Sequence, residues 1–376
     1  MPNASVTSRA LCPAVPSRRC DDMRILYDAR STRTPAGRYI LMGLTRGWMA
    51  DSRVSEVLVA VPSHENGFEV PPGASKVTSH AKSWRRYITR ELSAIATAIQ
   101  ADVIFSPNAT PPRDRRAVLY FQDLKHVRRH QDHVLDGRQR VGEALRGAWR
   151  RFVAPMCGLA VCVSEDIARD VRAQLPLPVE VIPNGVDVGG LWWSGERSTV
   201  LVMGGIGPWK GEETALRAWA AMPNAARKEC QMAIVGVAPE DRRQVVTGLA
   251  RDLRVEETVH VSGILPRAEF LQAIASSRIA VSCSRFESFG LPVAEALAIG
   301  APVICTNLPA HVELVNRAGA GQLVPTDDPR ALAMAVERAI SGEGPQRLTS
   351  APEGWSWTDR ARQHVDAFVR HLPHLG

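Results

Sequence analysis

Two carboxylates, Glu287 and Glu295, stand eight positions apart around the predicted start of a helix. Glu287 precedes a tight loop, and Glu295 lies about one turn inside the helix that follows. Pro292 suits the first helical turn, and Gly300 is a natural end. Because the unpaired N–H groups and the dipole at a helix start favour anions, this segment predicts a diphosphate site. One carboxylate would then accept hydrogen bonds from a ribose and the other from a sugar.

A glycine-rich loop at 204–211 follows the predicted strand 199–203. Its glycines allow close approach of the backbone, and Lys210 supplies a positive charge that suits a phosphate. The loop is not a P-loop, since neither Ser nor Thr follows Lys210 and Gly211, and it is not a dinucleotide fingerprint. We therefore predict that Lys210 contacts a phosphate; a solvated loop lysine is the alternative.

The composition is that of an ordinary globular protein with room for two domains. The chain has 376 residues, 45% hydrophobic and 23% charged, and no apolar run approaches the ~20 residues that a transmembrane helix needs. Residues 1–22 are polar and lack the apolar stretch of a signal peptide, which predicts a disordered leader; an upstream extension ahead of a start at Met23 is the alternative. The seven cysteines show no CxxC spacing, and Cys162, Cys283 and Cys305 sit in apolar runs. This predicts reduced core thiols and hence a cytoplasmic location.

The net charge of +7 is concentrated in the first half of the chain. Residues 1–190 contain 27 Lys and Arg against 19 Asp and Glu. This excess favours acidic partners such as nucleotide phosphates or anionic lipids, and an Arg-rich surface without a partner is the alternative. The predicted helix 84–100 carries three arginines beside Trp84, which is compatible with a membrane surface, although a solvated helix face is the favoured interpretation.

Strands alternate with helices in two series, which predicts an α/β fold with parallel sheets. We predict an N-terminal domain at 23–188, a linker at 189–198 and a C-terminal domain at 199–354. A ligand between two such domains would lie outside the carboxyl ends of the strands. The predicted strands are 24–29, 54–61, 102–105, 117–121, 160–163 and 179–182 in the first series and 199–203, 232–235, 259–261, 279–282 and 303–305 in the second.

The segment 284–304, followed by Glu313, resembles the signature of the family 4 retaining glycosyltransferases. The resemblance implies the GT-B form of the α/β class, with two Rossmann-like domains facing an inter-domain cleft and a C-terminal helix at 355–376 that crosses back to the N-terminal domain. It also implies transfer of a hexose-type sugar from a GDP- or UDP-sugar to an acceptor hydroxyl with retention. No Asp-x-Asp occurs in the chain, so neither a metal nor another cofactor is expected.

The resemblance also implies which residues form the site. Glu287 would hold hydroxyls of the donor sugar, Glu295 would hold the ribose, and Lys210 would stabilise the leaving diphosphate together with N–H groups at the helix start. The implied catalytic residues are Glu287, Lys210 and Asp123, while Gln122 and Asp123 lie on the acceptor side. The implied donor-binding residues are Gly37, Arg38, Gly205, Lys210, Ile264, Arg285, Glu287, Ser288, Phe289, Gly290, Leu291 and Glu295.

Two positions depart from the family's pattern. Gly205 stands where an Arg usually contacts the diphosphate, and a lost charged contact typically costs ~1.5–3 kcal/mol. Weaker donor binding, or a substitute such as Arg38 or Arg285, is therefore expected. Gln122 replaces the usual His; it can donate a hydrogen bond but cannot titrate. These departures leave open a nucleotide-sugar-binding protein without transfer, and another GT-B chemistry such as epimerisation is a separate alternative.

The expected partners are a nucleotide-sugar donor and a glycan, lipid-linked or small-molecule acceptor. No nucleic-acid partner is expected, whereas peripheral contact of the basic N-terminal domain with the inner membrane face is compatible with the charge distribution. His126, His130 and His133 lie close together in the sequence. Because no Cys is nearby, a solvated basic helix is favoured there over a metal site.

Overall fold

Two all-parallel sheets form the scaffold of the chain. The computed structural model describes residues 22–375 except 31, 33, 66, 108–109, 123–136 and 206. We call the first sheet with its helices the first unit, and the second sheet with its helices the second unit.

The first unit contains seven strands in the order β3-β2-β1-β4-β5-β6-β7. The strands are β1 (Met23–Asp28), β2 (Val54–Pro62), β3 (Ser75–Ser79), β4 (Val103–Ser106), β5 (Ala117–Phe121), β6 (Leu159–Cys162) and β7 (Val179–Val181). The helices are α1 (Pro35–Met49), α2 (Trp84–Arg86), α3 (Leu92–Ala98), α4 (Gly137–Val153) and α5 (Glu165–Gln174), with a π-helical turn (Tyr87–Glu91) before α3. β4, β5 and β6 are buried at every position, which explains their continuous apolar sequences.

The second unit contains six strands in the order β10-β9-β8-β11-β12-β13. The strands are β8 (Thr199–Met203), β9 (Gln231–Val235), β10 (Val259–Val261), β11 (Ile279–Ser282), β12 (Val303–Thr306) and β13 (Gln322–Val324). The helices are α6 (Glu212–Ala221), α7 (Asn224–Glu229), α8 (Glu240–Asp252), α9 (Arg267–Ser276), α10 (Leu291–Ala298), α11 (Pro309–Ala318), α12 (Pro329–Ile340) and α13 (Trp357–His371), and a 3₁₀ turn (Pro208–Lys210) precedes α6.

The strand order reverses beside the first strand of each sheet. β1 lies between β2 and β4, and β8 lies between β9 and β11. In open α/β sheets, ligands bind outside the carboxyl ends of the strands at such a reversal. In the second unit the two segments that leave this point are 204–211, after β8, and 283–290, after β11. The topology therefore brings the two predicted phosphate-binding segments to one place.

The last helix, α13, packs against α1 of the first unit. Gly43 and Gly47 make this contact possible, because a Cβ atom built at Gly43 would lie 2.2 Å from the ring of Trp357, and one at Gly47 would lie 2.7 Å from its carbonyl oxygen. Further along α13, Phe368 packs within the aromatic core of the first unit around Trp48. The first unit therefore has its core completed by a helix from the far end of the chain.

The predicted α/β fold with two Rossmann-like units is confirmed. Each strand predicted from the sequence is present within one residue at either end. Two strands, β3 and β13, and three helices, α4, α7 and α11, were not predicted, and the helix predicted at 84–100 is divided by the π-helical turn. Across the part of the chain that the structure describes, no helix combines the length and the apolar composition needed to cross a bilayer.

Candidate functional site

The start of α10 forms the centre of the candidate site. Gly290 precedes the helix with a φ of 85°, a left-handed conformation that favours glycine, and this conformation turns the chain from the loop into the helix. Gly290, the residue before the helix, provides no side-chain hydrogen bond to the first N–H groups of α10, which begins at Leu291. These N–H groups and the helix dipole therefore present positive electrostatic potential at the carboxyl end of β11.

Lys210 and Glu287 meet beside this helix start. The ammonium of Lys210 donates a hydrogen bond to Oε1 of Glu287, and the hydroxyl of Ser284 donates to the same oxygen at 2.9 Å. The two side chains are 16% and 14% exposed. Burial raises the pKa of Glu287, but the charge of Lys210 and these hydrogen bonds outweigh burial, so the pKa of Glu287 lies below its usual value. Two residues predicted from separate segments are thus in direct contact, both charged.

Glu295 lies on α10, almost fully buried, and is paired with a residue that the sequence did not indicate. Nη1 of Arg267, at the first position of α9, donates to Oε1 of Glu295 at 2.6 Å. The Glu295 side chain is 3% exposed. Burial raises the pKa of Glu295, and the guanidinium of Arg267 opposes this shift without cancelling it. Arg267 therefore provides the counter-charge for the carboxylate predicted to hold the ribose.

Gly205 stands against the side chain of Lys210, because a Cβ atom built at Gly205 would lie 2.9 Å from Cε of Lys210. Neither proposed substitute cation lies in this contact. Arg285 donates from Nε to Asp327 at 2.7 Å, and the guanidinium of Arg38 lies 5.6 Å from the ring centre of Phe68. Each of these arginines thus has a partner outside the contact between Lys210 and Glu287.

The remaining predicted residues occupy several loops. Ile264 follows β10 and is 56% exposed, Phe289 is buried, and Gly37 donates its N–H to the hydroxyl of Thr34 at the start of α1. Gln122 follows β5, and its buried amide nitrogen has no hydrogen-bond partner among the described residues. Asp123 lies outside the described residues, as do His126, His130 and His133. Ser288 and Leu291 are half-buried near the start of α10.

A buried histidine next to this loop was also not predicted. His311 of α11 is fully buried, and its Nδ1 lies 2.8 Å from the carbonyl oxygen of Thr306. Its Nε2 has no hydrogen-bond partner among the described residues, and a Cβ atom at Gly290 would lie 3.3 Å from it. Burial lowers the pKa of His311, so the ring is neutral at pH 7. His311 therefore supports the Gly290 turn as a neutral group.

Glu313 connects the second unit to the first. Its carboxylate accepts hydrogen bonds from the backbone N–H groups of Glu165 at 3.1 Å and Asp166 at 3.2 Å, at the start of α5. A carboxylate at this place interacts favourably with the helix dipole. The segment that resembles the family signature therefore contains residues that contact both units.

Two further observations concern metal ligands and cavities. Among the described residues, no three His, Cys, Asp or Glu side chains are grouped so that they could hold a metal ion. A surface cavity of about 320 Å³ lies between the 47–53 segment and α13, and it shares no lining residue with the site around α10. The case for a site around the start of α10 therefore rests on residue chemistry and strand topology.

Two family models match the chain. The model of Glycosyl transferases group 1 matches residues 192–353, and the model of Glycosyltransferase Family 4 matches residues 45–189. The first match contains the loop with Lys210, both carboxylates of the α10 segment and Arg267. The second match covers most of the first unit.

Individual curated proteins that match this chain at lower coverage are also glycosyltransferases by name. A D-inositol 3-phosphate glycosyltransferase from Nocardioides is 29% identical over 232 residues, which cover 52% of this chain and 49% of that protein. An MMP alpha-(1->4)-mannosyltransferase from Mycolicibacterium hassiacum is 27% identical over 233 residues, which cover 59% of this chain and 55% of that protein. The chain thus spans about half the length of these curated relatives.

Among solved structures, sucrose-phosphate synthase from Thermosynechococcus elongatus superposes with a TM-score of 0.67 and 18% identity, over 93% of this chain and 96% of that one. This likeness is one of fold, and it extends over both sheets. The two family matches together run from residue 45 to residue 353, and the chain belongs to the group 1, or family 4, glycosyltransferases with the GT-B fold.

Proposed function

We propose that this chain transfers a hexose-type sugar from a GDP- or UDP-sugar to an acceptor hydroxyl, with retention of the anomeric configuration and without a metal ion. The proposal rests mainly on one observation: Lys210 contacts Glu287 beside the start of α10, where Gly290 provides no side-chain cap. A cation and free N–H groups suit a diphosphate, and the adjacent carboxylate suits sugar hydroxyls. The names of the relatives support transfer of a glycosyl group.

The first step in this proposal is an exchange of partners at Lys210. A diphosphate carries more negative charge than the Glu287 carboxylate, and it gains the N–H groups of α10 at the same time. Lys210 would therefore leave Glu287 and bind the diphosphate. Glu287 would keep the hydrogen bond from Ser284 and would accept hydrogen bonds from hydroxyls of the donor sugar. Lys210 then has the diphosphate as its counter-charge, and the Glu287 carboxylate stays hydrogen-bonded by Ser284 and the sugar hydroxyls.

The second step is the transfer itself. The bond between the anomeric carbon and the diphosphate oxygen breaks, and a bond from the acceptor oxygen to the same face of that carbon forms. The released phosphate oxygen takes the proton of the acceptor hydroxyl, which balances the reaction without a separate base. Lys210 and the helix start stabilise the charge that develops on the leaving diphosphate, and this is where such a site lowers the barrier most.

The rest of the donor would extend from α10 towards α9 and β10. In this proposal the ribose binds Glu295, and the backbone around Ile264 contacts the base. Asp123 and Gln122 would lie on the acceptor side, and Gly37 and Arg38 would approach the sugar-diphosphate from the first unit. The absence of an Asp-x-Asp pair from the sequence supports neutralisation of the diphosphate by Lys210 and the helix rather than by a divalent ion.

For the acceptor we propose a glycan, a lipid-linked sugar or a small molecule with a free hydroxyl. We further propose a cytoplasmic location in which the basic first unit makes peripheral contact with the membrane. The excess of Lys and Arg over Asp and Glu in residues 1–190 supports this contact. We place the acceptor-side domain at 23–188 and the donor-side domain at 199–354.

A nucleotide-sugar-binding protein without transfer is the second candidate. Gln122 favours it, since a neutral amide occupies the place of the family's usual His, and Gly205 favours it because one expected cation is absent. Both candidates require donor binding, so binding alone does not separate them. Turnover separates them.

The test offers UDP-glucose, GDP-mannose, ADP-glucose and dTDP-glucose, each with and without D-inositol 3-phosphate or a methyl mannoside as acceptor. A thermal-shift screen identifies the donor that binds, since a ligand stabilises the fold that binds it. Release of the nucleoside diphosphate and NMR of the product then identify transfer with retention. Binding without release would support the second candidate, and an epimerised sugar with free UDP would indicate epimerisation. If no nucleotide sugar binds, the proposal is wrong.

A further inference from the structure

The guanidinium of Arg267 has three partners in the structure. Nη1 donates to Oε1 of Glu295 at 2.6 Å, and Nη2 donates to the backbone carbonyl oxygen of Asp187 at 2.9 Å. The guanidinium carbon also lies 3.7 Å from the centre of the Tyr39 ring, a cation–π distance. One side chain thus contacts a carboxylate, a carbonyl group and an aromatic face.

These partners come from both units. Glu295 belongs to α10 in the second unit, Tyr39 belongs to α1 in the first unit, and Asp187 lies in the segment that connects the two sheets. Two of the partners also contact each other, because the N–H of Asp187 donates to the hydroxyl oxygen of Tyr39 at 2.9 Å. Tyr39 in turn packs edge-on against Trp357 at the start of α13. Arg267 is therefore connected, directly or through Tyr39, to both units, to the segment that joins their sheets and to α13.

We propose that Arg267 is a positioning residue that orients the Glu295 carboxylate for the donor ribose and couples this orientation to the contact between the two units. The proposal rests on the proposed function, since it takes Glu295 as the ribose ligand. Arg267 occupies one carboxylate oxygen, Oε1, and no described residue hydrogen-bonds the other, Oε2. Oε2 is therefore the oxygen left for ribose hydroxyls.

The coupling follows from the geometry of the guanidinium. Its donors are fixed in a planar fork, so the end on Glu295 cannot move independently of the end on Asp187. Separation of the units would remove the Asp187 carbonyl and the Tyr39 ring from Arg267 and would free its side chain, and Glu295 would lose its fixed partner. Donor binding at Glu295 and the approach of the units are then two effects of one set of contacts.

The rival explanation is a half-exposed ion pair with no influence beyond its own stability. Arg243 provides a matched control, because its side chain is 39% exposed against 38% for Arg267 and it pairs with Glu240 within one helix. The test uses the full-length chain as Arg267→Ala, Arg267→Lys, Tyr39→Leu, the double variant Arg267→Ala/Tyr39→Leu and Arg243→Ala.

The first measurement needs no ligand. Hydrogen exchange of the Asp187 amide reports the Tyr39 contact, and we expect it to be about tenfold faster in Arg267→Ala, with Arg243→Ala unchanged. The second measurement titrates UDP-glucose and GDP-mannose. We expect about tenfold weaker binding in Arg267→Ala, and a similar loss in Tyr39→Leu although Tyr39 lies in the other unit. Arg267→Lys retains the charge and should recover part of the affinity.

The outcomes separate the coupling from the proposed function. The double variant should bind no more weakly than the poorer single variant, because both substitutions break one set of contacts. Additive losses, unchanged exchange at Asp187, or wild-type affinity in Arg267→Ala would overturn the coupling while leaving the proposed function intact. If the wild-type chain binds no nucleotide sugar in the wider four-donor screen, the proposed function fails, and the role of Arg267 fails with it.

Discussion

Replacement of Lys210 by Met should weaken nucleoside diphosphate binding and destabilise the fold, for two separable reasons. The loss of one charged contact with the diphosphate is worth ~1.5–3 kcal/mol, or roughly 10- to 150-fold in Kd. The same substitution leaves the Glu287 carboxylate, which is 14% exposed, without its cation. Breaking a buried pair in this way costs ~3–5 kcal/mol, and we expect the lower end because Ser284 still donates to Glu287 at 2.9 Å.

A second substitution separates the two effects. Lys210→Met/Glu287→Gln removes the stranded charge, so the free energy of unfolding should return towards the wild-type value while binding of UDP and GDP stays weak. Urea unfolding measures the first quantity and calorimetric titration the second. UDP and GDP are the appropriate ligands, because they lack the sugar that Glu287 would contact. Wild-type affinity in Lys210→Met, or restored affinity in the double variant, would refute a diphosphate bound at Lys210.

Three further predictions concern other parts of the molecule. Gly205→Arg should tighten UDP or GDP binding by roughly 10- to 100-fold by adding a cation, since the atom it would crowd is the flexible end of Lys210; titration showing unchanged affinity would contradict this. Burial raises the pKa of Asp28 from 3.8 to about 6, so between these pH values the folded state retains a proton that the unfolded state has released. The free energy of unfolding therefore falls as the pH rises through about 6. The free energy of unfolding of Asp28→Asn, measured relative to wild type, should therefore be up to ~3 kcal/mol higher at pH 8 than at pH 3. An equal shift of the urea midpoint at the two pH values would count against this prediction. Glu313→Ala should lower the free energy of unfolding by ~1–2 kcal/mol through loss of the contacts with α5, with Glu313→Gln closer to wild type; the same urea assay measures both.

The sequence was most informative where chemistry and local structure coincide. The helix after Glu287 and the position of Lys210 after a strand were both predictable, because helix-start signals and buried strands are local patterns. Direct contact between these two residues required the strand order, since 77 positions separate them in the chain. Once β8 and β11 are neighbours, the segments that leave their carboxyl ends must meet.

Residues whose roles depend on distant partners were not predictable. Arg267 lies 28 positions from Glu295 and 80 positions from Asp187, and a basic residue at the start of a helix carries no signal for either contact. His311 is similar, because burial is the largest cause of its lowered pKa and burial depends on the folded core. Neither role could be inferred without the tertiary structure.

Local ambiguity explains the missed or displaced elements. β3 is largely solvent-exposed and polar, so it lacks the apolar run of a central strand. α1 begins at Pro35, where the hydroxyl of Thr34 accepts the N–H of Gly37. Pro and Gly are also typical of loops, so the first turn of this helix is ambiguous in the sequence. α4 presents Val141, Leu145 and other apolar side chains to solvent, so its pattern does not identify a core face.

The central claim is that the start of α10 and Lys210 together bind the donor diphosphate. A crystal structure with bound UDP or GDP tests it most directly. We predict phosphate oxygens within about 3 Å of Nζ of Lys210 and of the N–H groups around Gly290, with Lys210 released from Glu287. A diphosphate bound elsewhere, with the pair of Lys210 and Glu287 still intact, would contradict the account.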